Sequence, residues 1–172
     1  MKKILLMIFM VLSFFVLVNE VKAKSTLPSV MTRAINLLPQ EDYDFLFSQK
    51  SDQIKPIVVI SDQQIKDIFG KKMSKTLLTK SMFSLSSGVG QTTLPIYVRS
   101  ESLFITSVLE HDSGENGSLP VISVAAKISH EIEHFKSEDE NVSIEREKSV
   151  FLLLAKKFGH QEDVVTRYLE QL

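Results

Sequence analysis

The fold is organised around residues 121–135, which read VISVAAKISHEIEHF. No glycine or proline interrupts this stretch, and Pro120, directly before it, suits the first turn of a helix. Its apolar residues recur every three to four positions, which is typical of an amphipathic helix. The stretch therefore predicts a helix with an apolar stripe that faces the core: Val121, Val124, Ala125, Ile128, Ile132 and Phe135.

Further helices are predicted on both sides of this stretch. Residues 142–158 and 162–169 repeat the helical period downstream. Upstream, Pro39 is expected to separate two short helices, because proline cannot continue a helix. Ser61 and Gln64 form a capping-box pattern that predicts the start of another helix, and residues 71–82 are expected to continue as helix.

Strand signals lie in the first two thirds of the chain. Residues 56–60 form a β-branched run that is typical of a buried strand. Residues 95–98 and 103–107 are expected to pair as a hairpin, whereas 84–93, rich in Ser, Gly and Thr, predicts a loop. The predicted fold class is therefore α+β: a short antiparallel or mixed sheet followed by a C-terminal helical part that carries the helix at 121–135.

The N-terminus has the pattern of a secretory signal peptide. Lys2 and Lys3 precede an apolar run over 4–18, and small or apolar residues follow before a possible cleavage after Ala23. The run is shorter than the roughly 20 residues that cross a bilayer, so no stable membrane insertion is expected after cleavage. We expect a secreted or periplasmic protein made of signal segment 1–23 and one domain over 24–172, without disulfides because the chain has no cysteine.

Composition argues against a nucleic-acid partner. The signal segment holds three of the 20 basic and one of the 21 acidic side chains, so the remaining chain carries about three net negative charges. It has no cluster of Lys or Arg that would attract a phosphate backbone or an anionic bilayer. Nucleic acid and lipid head groups are therefore not expected as partners, and the oligomeric state stays open.

Residues 130–134 read HEIEH and match the pattern H-E-x-x-H. His130 and His134 are four residues apart and lie on the same face of the predicted helix, so both imidazoles can reach one Zn²⁺ ion. Glu131 between them can take a proton from a metal-bound water and pass it to a leaving group. The motif predicts one zinc ion, with Glu131 as the catalytic general base.

A catalytic zinc needs a third protein ligand and one open position. The extended pattern H-E-x-x-H-x-x-G-x-x-H is not met, because Ser137 replaces its glycine and Glu140 replaces its third histidine. A carboxylate is then the expected ligand. The candidates that follow the motif are Glu138, Asp139, Glu140, Glu145 and Glu147.

Helical periodicity favours Glu147 among these candidates. Glu147 falls within the apolar stripe of the helix at 142–158, where a carboxylate needs a metal or a cation as partner. Glu145 shares its face with lysines, which is typical of a solvated position. The alternative for Glu147 is a buried salt bridge to an arginine such as Arg33 or Arg99.

On these residues the chain resembles the gluzincins, zinc metallopeptidases with a glutamate ligand. The matching residues are His130, Glu131, His134 and Glu147, with the small apolar Val150 three positions after the glutamate. The resemblance covers about the last third of the chain and implies a small zincin-like metallopeptidase domain. It also implies that His130, His134 and Glu147 bind zinc and that an edge strand pairs with an extended peptide or protein substrate.

Other features leave alternatives open. The strand at 95–98 is the expected substrate-pairing edge, because Pro95 suits an edge position. His160 and Tyr168 are candidates to stabilise an oxyanion, although capping and packing explain them more simply, and His111 is expected at the surface. The alternative to a peptidase is a non-catalytic zinc-binding or protein-interaction module on the same scaffold; a third hypothesis is an exported binding domain without metal.

Overall fold

The computed structural model of the chain describes residues 29–48, 56–86, 92–103, 105 and 117–170. The predicted signal segment 1–23 and His111 lie outside these residues. Within them the fold is α+β, with a small mixed sheet and a helical part at the C-terminal end, as predicted. The elements in chain order are α1 (Ser29–Leu37), α2 (Gln40–Ser48), β1 (Ile57–Ile60), α3 (Asp62–Leu77), β2 (Met82–Ser86), β3 (Thr92–Arg99), α4 (Leu119–Glu133), α5 (Glu140–Lys157) and α6 (Glu162–Leu169).

The three described strands are ordered β1-β3-β2, with β1 parallel and β2 antiparallel to β3. The expected hairpin between 95–98 and 103–107 is wrong, because β3 pairs with β2 and residues 100–103 are helical. Residues 82–86, expected as a helix end and a loop, form β2. These residues become a strand by pairing with β3, and hydrophobic clusters cover both faces of the sheet.

Pro95 lies in the central strand β3, so the expectation that 95–98 forms a sheet edge is wrong. The register explains how the proline is tolerated. Phe83 pairs with Tyr97 and Leu85 pairs with Thr93, so three residues of β3 lie opposite the single residue Ser84. Proline has no N–H to donate, and bulges are among the few places where a sheet accepts it.

The sheet lies between two layers of helix. Alternation along β3 sends Tyr97 to a small cluster under α3 and sends Ile96 and Val98 to the main core. The predicted capping box at Ser61 starts α3, which bends at Gly70, where φ is +69°. The main core gathers buried side chains from α1, α2, the sheet, α4, α5 and α6.

Helix α4 is the most enclosed helix of the fold, because it packs against α1, α2, β2 and α5. Its predicted apolar stripe is buried, and the opposite side of the helix is covered by α5. The last turn of α4 therefore lies between the sheet and α5. Within the described ranges, no helix combines the length and apolarity of a bilayer-spanning segment.

Candidate metal centre

His130 and His134 point their Nε2 atoms at each other in the last turn of α4. These two atoms are 3.1 Å apart. Two nitrogens bound to one tetrahedral zinc at about 2.0 to 2.1 Å would be about 3.3 Å apart. The helix therefore holds the two imidazoles close to the spacing that a single ion requires.

Helix α5 fixes the opposite nitrogen of each ring. Ser143 Oγ lies 3.2 Å from Nδ1 of His134, and Glu147 Oε2 lies 3.0 Å from Nδ1 of His130. The Glu147 carboxylate is off the direction of the N–H, so this contact is electrostatic rather than a well-aligned hydrogen bond. The Glu147 carboxylate beside Nδ1 of His130 favours the tautomer that carries its proton there and leaves the Nε2 lone pair free for a metal. The Ser143 hydroxyl can either donate to or accept from Nδ1 of His134.

Glu140 supplies a carboxylate next to both Nε2 atoms. Its Oε1 is 3.5 Å from Nε2 of His130 and its Oε2 is 3.4 Å from Nε2 of His134. One ligand atom from each of these three residues fits within 4.8 Å, so the group could hold a metal ion. The Glu140 side chain is 56% exposed, whereas the histidines are nearly buried, so the cluster opens to solvent on the Glu140 side.

Local sequence explains why Glu140 reaches the histidines. Asp139 is the N-cap of α5, and its side chain accepts a hydrogen bond from the backbone N–H of Asn141. This cap makes Glu140 the first residue of the helix. Ser143 and Glu147 follow at helical spacing, so the three side chains line one face of α5 opposite the last turn of α4.

The electrostatics of the cluster favour a bound cation. Burial lowers the pKa of His130, but the nearby carboxylates of Glu147, Glu131 and Glu140 outweigh this effect, so the pKa lies above its usual value. Two Nε2 lone pairs and a carboxylate repel one another when no positive charge lies between them. A proton or a metal ion removes this repulsion, and the N and O donors present suit zinc.

The structure brings two glutamates to the histidines, Glu147 at one ring nitrogen and Glu140 at the other. Glu147 lies on the buried face of α5 as expected, with its side chain 12% exposed, but it contacts the Nδ1 side of His130. Glu140 is the carboxylate that approaches both Nε2 atoms, so in this arrangement it takes the place expected for Glu147. Of the alternative partners considered for Glu147, Arg99 pairs with Asp62. A spacing signal existed: Glu140 stands where the extended motif has its third histidine.

The Glu131 carboxylate contacts the sheet. The residue is only 6% exposed, and its Oε2 accepts a hydrogen bond of 2.7 Å from the hydroxyl of Ser84 in β2. Sequence reasoning missed Ser84, because it lies 47 positions from Glu131 in a segment that was expected to be a loop.

His160 lies apart from this cluster. His160 contacts the backbone carbonyl of Gly117 at 2.6 Å, near the start of α4. The rise of a helix places that end about 20 Å from His130 and His134, so His160 has the packing role rather than an oxyanion role. The side chain of Tyr168 lies outside the described part of the chain.

No protein-family model, curated protein or solved structure matches the chain. The functional reading of the centre therefore depends on its own residues and distances.

Proposed function

We propose that this protein is an exported, zinc-dependent hydrolase that cleaves peptide bonds. The observation that carries the proposal is the convergence of His130 Nε2, His134 Nε2 and the Glu140 carboxylate, while α5 fixes the outer nitrogen of each ring. At these distances the two Nε2 atoms and the carboxylate repel one another unless a proton or a cation lies between them. They form a natural ligand set for a divalent cation.

The donor set fits one zinc ion with a catalytic open position. Two imidazoles and one carboxylate are a known combination for catalytic zinc, in which water or substrate takes the fourth place. When bound, zinc polarises a substrate carbonyl and lowers the pKa of its water. The exposed side of Glu140 leaves the cluster accessible to a substrate.

The chain's own residues then take distinct roles. His130, His134 and Glu140 hold the metal, and Glu147 and Ser143 orient the two rings. Glu131 acts as the general base that accepts a proton and returns it to the leaving group. With Glu140 as third ligand, the likeness to gluzincins is limited to the H-E-x-x-H helix and the use of a carboxylate.

We place substrate on the β2 side of the sheet. β3 is central, and β2 both contacts α4 and holds Glu131 through Ser84. Its outer edge pairs with no strand among the described residues, and an extended peptide added there would form a fourth strand of the sheet.

Two measurements on the purified protein test this function. Elemental analysis after dialysis is expected to find one zinc per chain, lost in the double variant His130→Ala/His134→Ala. A peptide library is expected to be hydrolysed by the wild type, and Glu131→Gln should lower kcat by about 10² to 10⁴-fold with zinc retained.

Glu133→Gln is the matched control for this substitution. It makes the same chemical change two positions away, on a side chain that pairs with the exposed Lys136 at 3.4 Å. Its activity is expected to stay near wild type. Wild-type protein without bound metal, or full turnover in Glu131→Gln, would contradict the proposal.

A second candidate is a zinc-binding module without catalysis. It is favoured by the burial of Glu131, whose low exposure limits its access to a metal-bound water or a substrate. A protein that holds one zinc but leaves the whole peptide library intact would select this candidate.

A further inference from the structure

We infer that Ser84 is a positioning residue for the general base, holding one oxygen of Glu131 so that the other is directed to the reaction. This inference rests on the proposed function, and it concerns a residue of the sheet, outside the motif and the ligand set. The observation behind it is the 2.7 Å hydrogen bond from Ser84 Oγ to Glu131 Oε2.

Ser84 is the polar exception on an apolar face of the sheet. Alternation along β2 places it on the same side as Met82, which faces the main core with Ile96 and Val98 of β3. Phe83 belongs to the opposite face, in the cluster under α3. An apolar residue at position 84 would extend the core, so the hydroxyl there needs a polar partner, and Glu131 is that partner.

The backbone of the sheet is irregular at this same position. Ser84 is the β2 residue between the shifted pairs, opposite the β3 segment that contains Pro95. Bulges change the direction in which a strand presents its side chains. The irregularity and the hydrogen bond to Glu131 therefore coincide at Ser84.

The contact has a direct consequence for a base. A carboxylate that is only 6% exposed has few waters to orient it, and a single strong donor fixes its rotation. Ser84 engages Oε2, whereas Oε1 makes no hydrogen bond within the described part of the chain. Oε1 is thus the oxygen left to accept the proton.

The first test compares Ser84→Ala, Ser84→Thr and Ser81→Ala in steady-state peptide hydrolysis with zinc bound. Ser84→Ala should lower kcat about tenfold to a hundredfold with KM unchanged, since it alters an interaction that matters only at the reacting carboxylate. Ser84→Thr keeps the hydroxyl and should restore activity. Ser81→Ala removes a hydroxyl that contacts Lys127 of α4, the helix that also carries Glu131, and should leave kcat unchanged.

The second test needs neither zinc nor activity. Urea unfolding of the metal-free protein is measured for Ser84→Ala, Glu131→Ala and the double variant. A hydrogen bond to an ionised carboxylate should give a coupling of about tenfold or more in the unfolding equilibrium constant. The same cycle with Ser81→Ala should give no coupling.

The outcomes separate this inference from the proposed function. If Glu131→Gln is inactive but Ser84→Ala retains wild-type kcat, the positioning role is overturned and the hydrolase stands. If wild type and Glu131→Gln are equally inactive, the hydrolase is overturned and the catalytic role of Ser84 with it. Loss of kcat in Ser84→Ala, rescue by Ser84→Thr and coupling in the cycle together support the inference.

Discussion

Replacing Glu147 with alanine should weaken zinc binding without removing a ligand. The carboxylate lies 3.0 Å from Nδ1 of His130, the ring nitrogen opposite the one that Glu140 approaches. Without it, the ring loses the partner that fixes its tautomer and rotation. Loss of such an outer partner typically costs 10 to 100-fold in metal affinity, or about 1.4 to 2.7 kcal/mol. Glu140→Ala should cost more, because it removes a donor from the cluster.

This loss translates into a measurable thermal shift. Zinc at about 100 times the wild-type Kd stabilises the folded protein by about 2.7 kcal/mol, which raises the Tm by about 5 to 11 °C for a chain of this size. At the same zinc concentration, a 10 to 100-fold weaker site is stabilised by about 0.4 to 1.4 kcal/mol. The shift in Glu147→Ala should therefore fall to about 1 to 6 °C.

The assay is a thermal melt of each variant with zinc and with a chelator, so that each protein serves as its own reference. Glu145→Ala is the matched control, since its side chain is 75% exposed on the same helix. It should keep the full shift. An undiminished shift in Glu147→Ala would refute the orienting role, and loss of zinc in Glu147→Ala but not in Glu140→Ala would make Glu147 the third ligand.

Three further predictions concern stability. Burial raises the pKa of Tyr97 to about 12, so the unfolded chain loses this proton near pH 10 and the folded chain only at higher pH. The free energy of unfolding should therefore fall by up to about 3 kcal/mol between pH 10 and 12, and Tyr97→Phe should remove this part of the alkaline loss in urea titrations. Gly117→Ala should lower the free energy of unfolding by about 1 to 3 kcal/mol, because the new Cβ would overlap the Phe158 ring. If adding Phe158→Ala does not restore stability, this overlap is not the cause. The hydrogen bond from Arg99 lowers the pKa of Asp62, so this carboxylate contributes stability above about pH 4 that is lost as the pH falls through the lowered pKa. Asp62→Asn should therefore reduce the loss of stability at acid pH, and an unchanged acid dependence would contradict this prediction.

Features governed by neighbouring residues could be predicted from the sequence. Hydrogen bonds between residues a few positions apart determine three of these features: the capping box at Ser61, the helix break at Pro39 and the helix that carries His130 and His134. The four-residue spacing of the histidines fixes that both rings project from the same side of α4. Periodicity also predicted the buried position of Glu147.

Features governed by distant residues required the tertiary structure. Met82–Ser86 became a strand because β3 and two covered faces were available to it, and Pro95 entered the central strand because the sheet accommodates a bulge there. No local pattern records which strands become neighbours. For the same reason, the pairing of Ser84 with Glu131 could not be predicted from either segment alone.

The sequence by itself determined that two imidazoles share a helix face and that a carboxylate follows on the next helix. Only the packing of α5 against α4 decided that Glu140 approaches the Nε2 atoms and that Glu147 contacts Nδ1. Helical periodicity fixes the angle at which a side chain leaves its own axis. The atom that it meets depends on the rotation and offset between two helices, and these are set by the side chains packed between them.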